Sequence, residues 1–264
     1  MAVGFSATRL ISMPMTSTTA ELRFRLDRPE DDPERVLVVT AHPDDVDFGV
    51  AGTVATWTDR GVEVSYCIVT DGDAGGSDLS VSRSDMAVLR REEQCAAAAV
   101  VGVKDVSFLG YPDGRLMVSI ELRRDITREI RRVRPDRVVC QSPDRWWDRI
   151  FASHPDHLAA GEAAVCAVYP DSRNPFAHPE LIDEGFEPYV VKELWVAADT
   201  NPDRAVDVTA TFDRKIEALR CHRSQIGDGA ELADRIRSWL EPAGRAAGLP
   251  SGALAETFRV VETA

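Results

Sequence analysis

Apolar and polar positions along the chain follow two patterns. Short runs of aliphatic and β-branched residues, such as Val36-Leu37-Val38-Val39-Thr40, show no alternation and predict strands buried on both faces. Longer stretches repeat their apolar positions at helical spacing, and two of them end at Gly61 and Gly102, where a glycine just past the last turn stops a helix. In chain order the pattern predicts a strand at Val36–Thr40, a helix at Val46–Arg60, a strand at Val62–Thr70 and a helix at Arg83–Val101. A strand at Val106–Leu109, a helix at Val118–Val133 stopped near Pro135, a strand at Arg137–Cys140 and a helix at Pro155–Tyr169 follow. The remainder predicts a strand at Val190–Ala197, helices at Phe212–His222 and Leu232–Ala247, and a last strand at Phe258–Val261.

Strands alternating with helices imply right-handed crossovers, hence an α/β fold with a mostly parallel twisted sheet and helices on both faces. A length of 264 residues suits one such domain with a modest C-terminal appendage. Residues 1–34 are expected to be an N-terminal extension, partly disordered. Residues 35–225 form the main domain, and residues 226–264 supply a helix and strand packed on it. Ligands in such sheets bind beyond the C-terminal ends of the strands, so the loops after the first four strands are where chemistry is expected.

Charge narrows the function. The net charge is −13, and no positive footprint is visible of the kind that displaces counterions from phosphate, so no nucleic-acid partner is expected. The basic cluster Arg123–Arg134 alternates with acids and reads as a solvated helix face. No apolar run is long enough to span a bilayer. Cys67, Cys95, Cys140, Cys166 and Cys221 are odd in number and scattered, which fits neither a disulfide framework nor a thiolate zinc site and points to a reducing cytoplasm. Met1 to Ala20 is rich in Ser, Thr and Met and lacks the apolar core of a secretory signal.

The candidate chemistry sits in two clusters. The first predicted strand ends in Ala41-His42-Pro43-Asp44-Asp45. A dinucleotide fold would place glycines there to let backbone approach pyrophosphate; an imidazole and two carboxylates argue against a nucleotide cofactor. After the fourth strand come Trp146-Trp147-Asp148 and then His154-Pro155-Asp156-His157, two polar groups three residues apart around a proline that can open a helix. His42, Asp45 and one histidine of the second cluster make a two-His, one-carboxylate set with an open position, the pattern of a catalytic zinc site, although ferrous iron takes the same donors. Ala177-His178-Pro179-Glu180 has the His-Pro pair without a second ligand, so His178 reads as a loop residue.

The pairing of Ala-His-Pro-Asp-Asp with His-Pro-Asp-His resembles the PIG-L (LmbE-like) deacetylases, Rossmann-like zinc hydrolases acting on N-acetylglucosaminyl groups, among them the mycothiol and bacillithiol pathway enzymes. Further matches are Thr70-Asp71-Gly72, Arg90-Arg91-Glu92-Glu93, Leu109 to Gly114, and Lys215, Ala218, Leu219, His222, Ser224 and Gln225, so the resemblance runs from Arg35 to Gln225. It implies His42, Asp45 and His157 as zinc ligands and Asp44 as the general base that activates metal-bound water. It implies His154 as general acid or oxyanion partner, with Asp156 orienting it, and Arg90 and Asp113 on sugar hydroxyls. Trp147, or its neighbour Trp146, could stack on a sugar ring, and His222 could reach the substrate, in some relatives from a neighbouring subunit. The chain departs from the family at Val46, usually an acid, and at Ala152, in some members a carbonyl-polarising Tyr.

The expected substrate is thus a small N-acetylated amino sugar, with a homo-oligomer possible. An amidase for a larger conjugate, such as a mycothiol S-conjugate or an acylated glycopeptide, would share the core and differ in pocket walls, expected from Pro170–Pro188 and the C-terminal segment. A silent sugar- or metal-binding module is the reading from another class. Asp44 and His154 speak against it, since binding alone needs neither.

Overall fold

The computed structural model describes residues 24–76, 78–226 and 231–264. The expectations for Met1–Ala20 therefore lie outside the described residues. In chain order the strands are β1 (Arg25–Leu26), β2 (Arg35–Thr40), β3 (Glu63–Thr70), β4 (Asp105–Tyr111), β5 (Arg137–Gln141), β6 (Glu193–Ala197), β7 (Arg204–Asp207) and β8 (Ala255–Glu262). The helices are α1 (Asp45–Gly49), α2 (Ala51–Asp59), α3 (Arg83–Val100), α4 (Ile120–Val133), α5 (Pro155–Cys166), α6 (Glu180–Asp183), α7 (Phe212–Cys221), α8 (Arg223–Ile226) and α9 (Leu232–Ala246). None among the described residues is long and apolar enough to cross a membrane.

The strands form one sheet in the order β1-β7-β8-β6-β5-β2-β3-β4. From β6 to β4 every pairing is parallel, whereas β8 runs antiparallel to both β6 and β7. The expected α/β architecture is what the chain adopts. In β2 alternate residues serve opposite faces: Val36 and Val38 join the core with Trp57, Ile216 and Phe258, and Leu37 and Val39 join the one with Leu122, Ile126 and Ala163. Burial on both faces explains why this strand reads as an unbroken apolar run.

The chain leaves β2 for β3 and β4 on one side and returns to β5 and β6 on the other. Strand order reverses between β2 and β5, so the helices that follow them diverge and a crevice opens at their C-terminal ends. His42 follows β2, and the His154–His157 cluster follows β5.

Several expectations need correction. Strands β1 and β7 were not foreseen, because two and four residues are too few to show a period, and they exist through pairing with each other and with β8. The segment from Arg25 thus belongs to the sheet edge. The helix expected through Tyr169 stops at Cys166, with Tyr169 itself extended at φ −144°. Helix α4 starts at Ile120 because Ser119 caps it, accepting the Leu122 N–H at 3.1 Å. Within the basic cluster, Arg131 is not on a solvated face. It is 2% exposed and donates to the carbonyls of Asp171, Ser172, Asn174 and Ala177, whose loop offers oxygens that no helix or strand uses.

The expected helix Val46–Arg60 is two helices broken at Val50, whose φ/ψ of −138°/7° is not helical. A break orphans carbonyls on one side and N–H groups on the other. The fully buried Lys215 ammonium supplies the carbonyls of Asp47 and Phe48, both at 2.8 Å. Glu256 takes the N–H groups of Gly52 and Thr53 at 3.1 and 2.7 Å, and the two charges pair at 2.7 Å. The break sets the direction of α1 and so the pose of the Asp44–Asp45 turn above it. Lys215→Met leaves Glu256 buried without its partner and is expected to cost roughly 3–5 kcal/mol. Urea unfolding followed by far-UV circular dichroism measures it, and an unchanged midpoint would refute the role given to the pair.

Candidate metal centre and active site

His42 lies in the bend just after β2, Asp45 opens α1, and His157 lies in the first turn of α5. The two imidazoles, 115 residues apart in sequence (157 − 42), stand with ring centroids 5.2 Å apart. Both aim a ring nitrogen at one carboxylate. His42 Nδ1 lies 3.2 Å from Asp45 Oδ2, and His157 Nε2 lies 3.0 Å from Asp45 Oδ1. Asp45 is further fixed by the His42 N–H, which donates to Oδ2 at 2.7 Å.

The opposite nitrogens set the tautomers. His157 Nδ1 faces the Ala152 carbonyl at 3.3 Å, which only an N–H can satisfy. His42 Nε2 faces Asp156 Oδ2 and Asp113 Oδ1, each at 3.2 Å. With those protons placed, the two nitrogens facing Asp45 carry lone pairs, and lone pairs meet a carboxylate favourably only across a shared cation or an added proton. Zinc bonds of about 2.0–2.2 Å in a tetrahedron set neighbouring donor atoms about 3.3 Å apart, close to these spacings. The carboxylates behind His42 are the outer partners that metal-binding imidazoles regularly have. The donor set therefore fits a divalent metal. Groups with one donor atom each within 4.8 Å of one another are His42, His154 and His157, and His42, Asp113 and Asp156; Asp45 belongs to neither, its two oxygens being divided between the two imidazoles.

The same carboxylates draw positive charge to this spot, as a proton on His42 where no cation is shared. Burial alone would depress His42, but Asp45, Asp113 and Asp156 outweigh it and push it up to about 12. Burial raises Asp45, yet His157 and His42 overcome this and hold it well below the ordinary carboxylate range. Asp44 goes the other way. Burial and the Asp45 charge push it up to about 7 against Arg90, His222 and His42. Adjacent carboxyls driven apart in this way are suited to different tasks, an ionised ligand and a proton acceptor near neutrality.

Asp44 has a left-handed backbone, φ +88°, unusual for a residue with a side chain. Helix α3 holds it there. Arg90 donates to the Pro43 carbonyl at 2.5 Å and to Asp44 Oδ2 at 3.1 Å. One turn on, Gln94 Oε1 accepts the Asp44 N–H at 2.8 Å while its Nε2 donates to Asp47 Oδ2 at 2.9 Å. The same Asp47 oxygen meets His222 Nε2 at 2.8 Å.

The remaining expected residues fall as follows. His154 caps α5, its Nδ1 accepting the Asp156 N–H at 3.2 Å, so Nε2 carries the proton; its ring centroid is 5.0 Å from that of His42. Burial, with His42 and His157 nearby, holds its pKa below the ordinary value. The Asp156 carboxylate turns to His42 and to the N–H groups of Gly114 and Leu116, and its link to His154 is through the backbone alone. Asp113 sits against His42 and 3.8 Å from Arg90, while Arg90 is 4% exposed with its hydrogen bonds made to protein. His222 is fully buried behind Asp44 in the same chain. Trp147 stands 77% exposed, and its neighbour Trp146 is the one that lines the cavity beside the centre. His178, with φ +53°, occupies a turn away from the cluster, as expected. Gln94 and Asp47 were missed; the available signal was the four-residue step from Arg90, which places Gln94 on the same helix face.

A cavity of about 630 Å³ adjoins the centre, with Asp45 and His157 in its wall and Phe48, Trp146, Phe151 and Trp239 among its aromatic lining. The C-terminal segment contributes Trp239, Leu240, Ala243 and Ala255–Thr257, as expected, whereas no residue of Pro170–Pro188 lines it.

A sheet with a strand-order reversal and a His–Asp–His cluster in its crevice defines an α/β protein with a candidate metal centre, and comparison with known proteins gives the family. Residues 37–168 match the family model described as "PIG-L: GlcNAc-PI de-N-acetylase". The chain is 34% identical over 206 residues to diacetylchitobiose deacetylase of Thermococcus kodakarensis, covering 78% of this chain and 75% of that protein. It is 33% identical over 197 residues to a probable N-acetyl-alpha-D-glucosaminyl L-malate deacetylase 2 of Bacillus cereus, covering 72% and 83%. The solved structure of N,N'-diacetylchitobiose deacetylase from Pyrococcus horikoshii, complexed with an inhibitor, superposes with a TM-score of 0.82 at 33% identity over 91% of this chain and 88% of that one. The chain belongs to the PIG-L family.

Two outcomes follow from this geometry. Asp156→Asn, which removes the charge behind His42, is expected to weaken divalent-metal affinity roughly 10–100-fold; competition with a chromophoric chelator reads it, and unaltered affinity would contradict the role. Gln94→Ala frees the Asp44 backbone and is expected to lower kcat roughly 10–100-fold with metal content and KM little changed, as steady-state kinetics and elemental analysis would record.

Proposed function

We propose that this chain is a zinc-dependent deacetylase of N-acetylglucosaminyl compounds, with His42, Asp45 and His157 as the metal ligands. The observation that carries the reading is the convergence of both imidazoles on the Asp45 carboxylate at 3.2 and 3.0 Å. The family and the named activities of its relatives support the amide as the bond attacked. The nitrogen and carboxylate donors suit zinc, and ferrous iron fits the same set. The free cysteines support the cytoplasm as the compartment.

When bound, the metal supplies a Lewis acid that polarises the carbonyl and lowers the pKa of water toward about 7. Asp44 is the base: its carboxylate, oriented by Arg90 and set in the left-handed turn, removes the proton of the attacking water. His154 Nε2–H would donate to the carbonyl oxygen and steady the charge that develops there, and the proton that Asp44 takes from water goes on to the departing amine, directly or by way of His154. Asp156 keeps His42 in the tautomer that leaves Nδ1 free. Asp113 is the residue able to turn toward a sugar hydroxyl, with the buried Arg90 3.8 Å from it, and Trp147 offers an exposed ring.

Acetate release from N,N'-diacetylchitobiose and N-acetylglucosamine, before and after chelation and with zinc restored, is the direct test. Activity is expected to vanish on chelation and return with zinc; activity indifferent to chelator would sink the reading. Asp44→Ala and His154→Ala are each expected to retain metal and lose roughly 10²–10⁴-fold in kcat, measured on the same substrates.

A further inference from the structure

The metal centre divides its crevice unequally. On the β3–β4 side lie Asp113 and Arg90, polar and packed against His42 and Asp44. On the β5–β6–β8 side lies the 630 Å³ cavity, which shares Asp45 and His157 with the centre. Its accessible wall is mostly apolar, with Phe48, Trp146, Phe151 and Trp239, and polar at Arg149, Asp199 and Thr200; Val38, Val139 and Ala255 lie behind it with almost no accessible surface. Glu256, which also lines it, is committed to Gly52, Thr53 and Lys215. A cavity of about 300–1,000 Å³ with mostly apolar walls holds a sizeable organic group. The methyl of an acetyl group needs about the room of one water, about 30 Å³, a small fraction of what is present.

An amide held at the centre has an amine end and an acyl end, and one of them faces this cavity. Sugar hydroxyls placed against the aromatic part of this wall, away from Arg149, Asp199 and Thr200, would lose their water and find no partners, which is costly. A hydrocarbon chain loses nothing there. The geometry points to a substrate class wider than N-acetyl compounds: amino sugars carrying a linear N-acyl chain of medium length, the chain lying between β5, β6, β8 and α9 with Ala243 and Leu240 near its end. The inference rests on the deacylase reading given above. The reaction is hydrolysis of the same bond. The C–N bond breaks, water supplies the hydroxyl to the acyl carbon and a hydrogen to nitrogen, and a carboxylate of the chain's length leaves with the free amino sugar.

The test is kcat/KM of the zinc-loaded enzyme for N-acetyl-, N-butanoyl-, N-hexanoyl- and N-octanoyl-glucosamine, read for every substrate by the primary amine released. Each buried methylene is worth about a fourfold gain at most, so N-octanoyl-glucosamine is expected to exceed the N-acetyl compound at least tenfold. Ala243→Phe, which fills the inner end, is expected to lower the octanoyl-to-acetyl ratio at least tenfold, and the ratio is independent of how much of the variant folds. Hydrolysis of the N-acetyl compound with kcat/KM falling as the chain lengthens overturns the inference and leaves the deacetylase reading standing. No hydrolysis of any member overturns both. A gain seen with the octyl glycoside of N-acetylglucosamine and not with N-octanoyl-glucosamine places the chain on the aglycone and also overturns it.

Discussion

The centre depends on one carboxylate being approached by two imidazoles. Asp45 alone, buried among carboxylates and unpaired, would be driven to take up a proton. Between His42 and His157 it stays ionised, and the two lone pairs facing it make a site for positive charge. The imidazoles come from opposite sides of the strand-order reversal, one after β2 and the other after β5. The carboxylate therefore also couples the two halves of the sheet at their C-terminal edge.

Supporting contacts run outward in layers. Behind His42 stand Asp156 and Asp113, and the Asp156 carboxylate is itself tied to backbone N–H groups of the β4–α4 loop. Behind Asp44 stand Arg90 and Gln94, one turn apart on α3, and behind Gln94 stands the buried Asp47–His222 pair. Beneath α1 the Lys215–Glu256 pair caps both sides of a helix break. Conformations that would be strained or orphaned on their own, the left-handed Asp44 and the broken α1–α2 backbone, are each held by more than one hydrogen bond from a distant element. Residues late in the chain thus act on the site through the backbone they hold. His222, placed by sequence reasoning at the substrate, packs behind Asp44 instead.

The balance of charge gives adjacent carboxyls different behaviour. Asp44 and Asp45 are neighbours in sequence, yet one is raised toward neutrality by burial beside a like charge and the other is held low by two imidazoles. The left-handed backbone of Asp44 itself turns the two side chains apart. The same turn directs Asp45 toward the two imidazoles and Asp44 toward α3, so the two carboxyls meet different surroundings one peptide bond apart.

Unbroken apolar runs of four or five residues, helical periods ending at Gly61 and Gly102, and two His-Pro-Asp clusters at predicted strand ends were enough to establish the α/β class, the crevice and the residues that meet there. These are local signals: period, capping and donor chemistry act over a few residues and are written directly in the chain. What the sequence did not carry were features set by contacts across long separations. The edge strands β1 and β7 exist because partners lie beside them, the break at Val50 because Lys215 and Glu256 serve its orphaned groups, and the burial of Arg131 because a loop turned its carbonyls inward. The tertiary structure alone decided which side chain each carboxylate faces: Asp156 turns to His42, Arg90 to the Asp44 turn, and the cavity opens toward α9, because orientation follows from packing, which no single stretch of sequence contains.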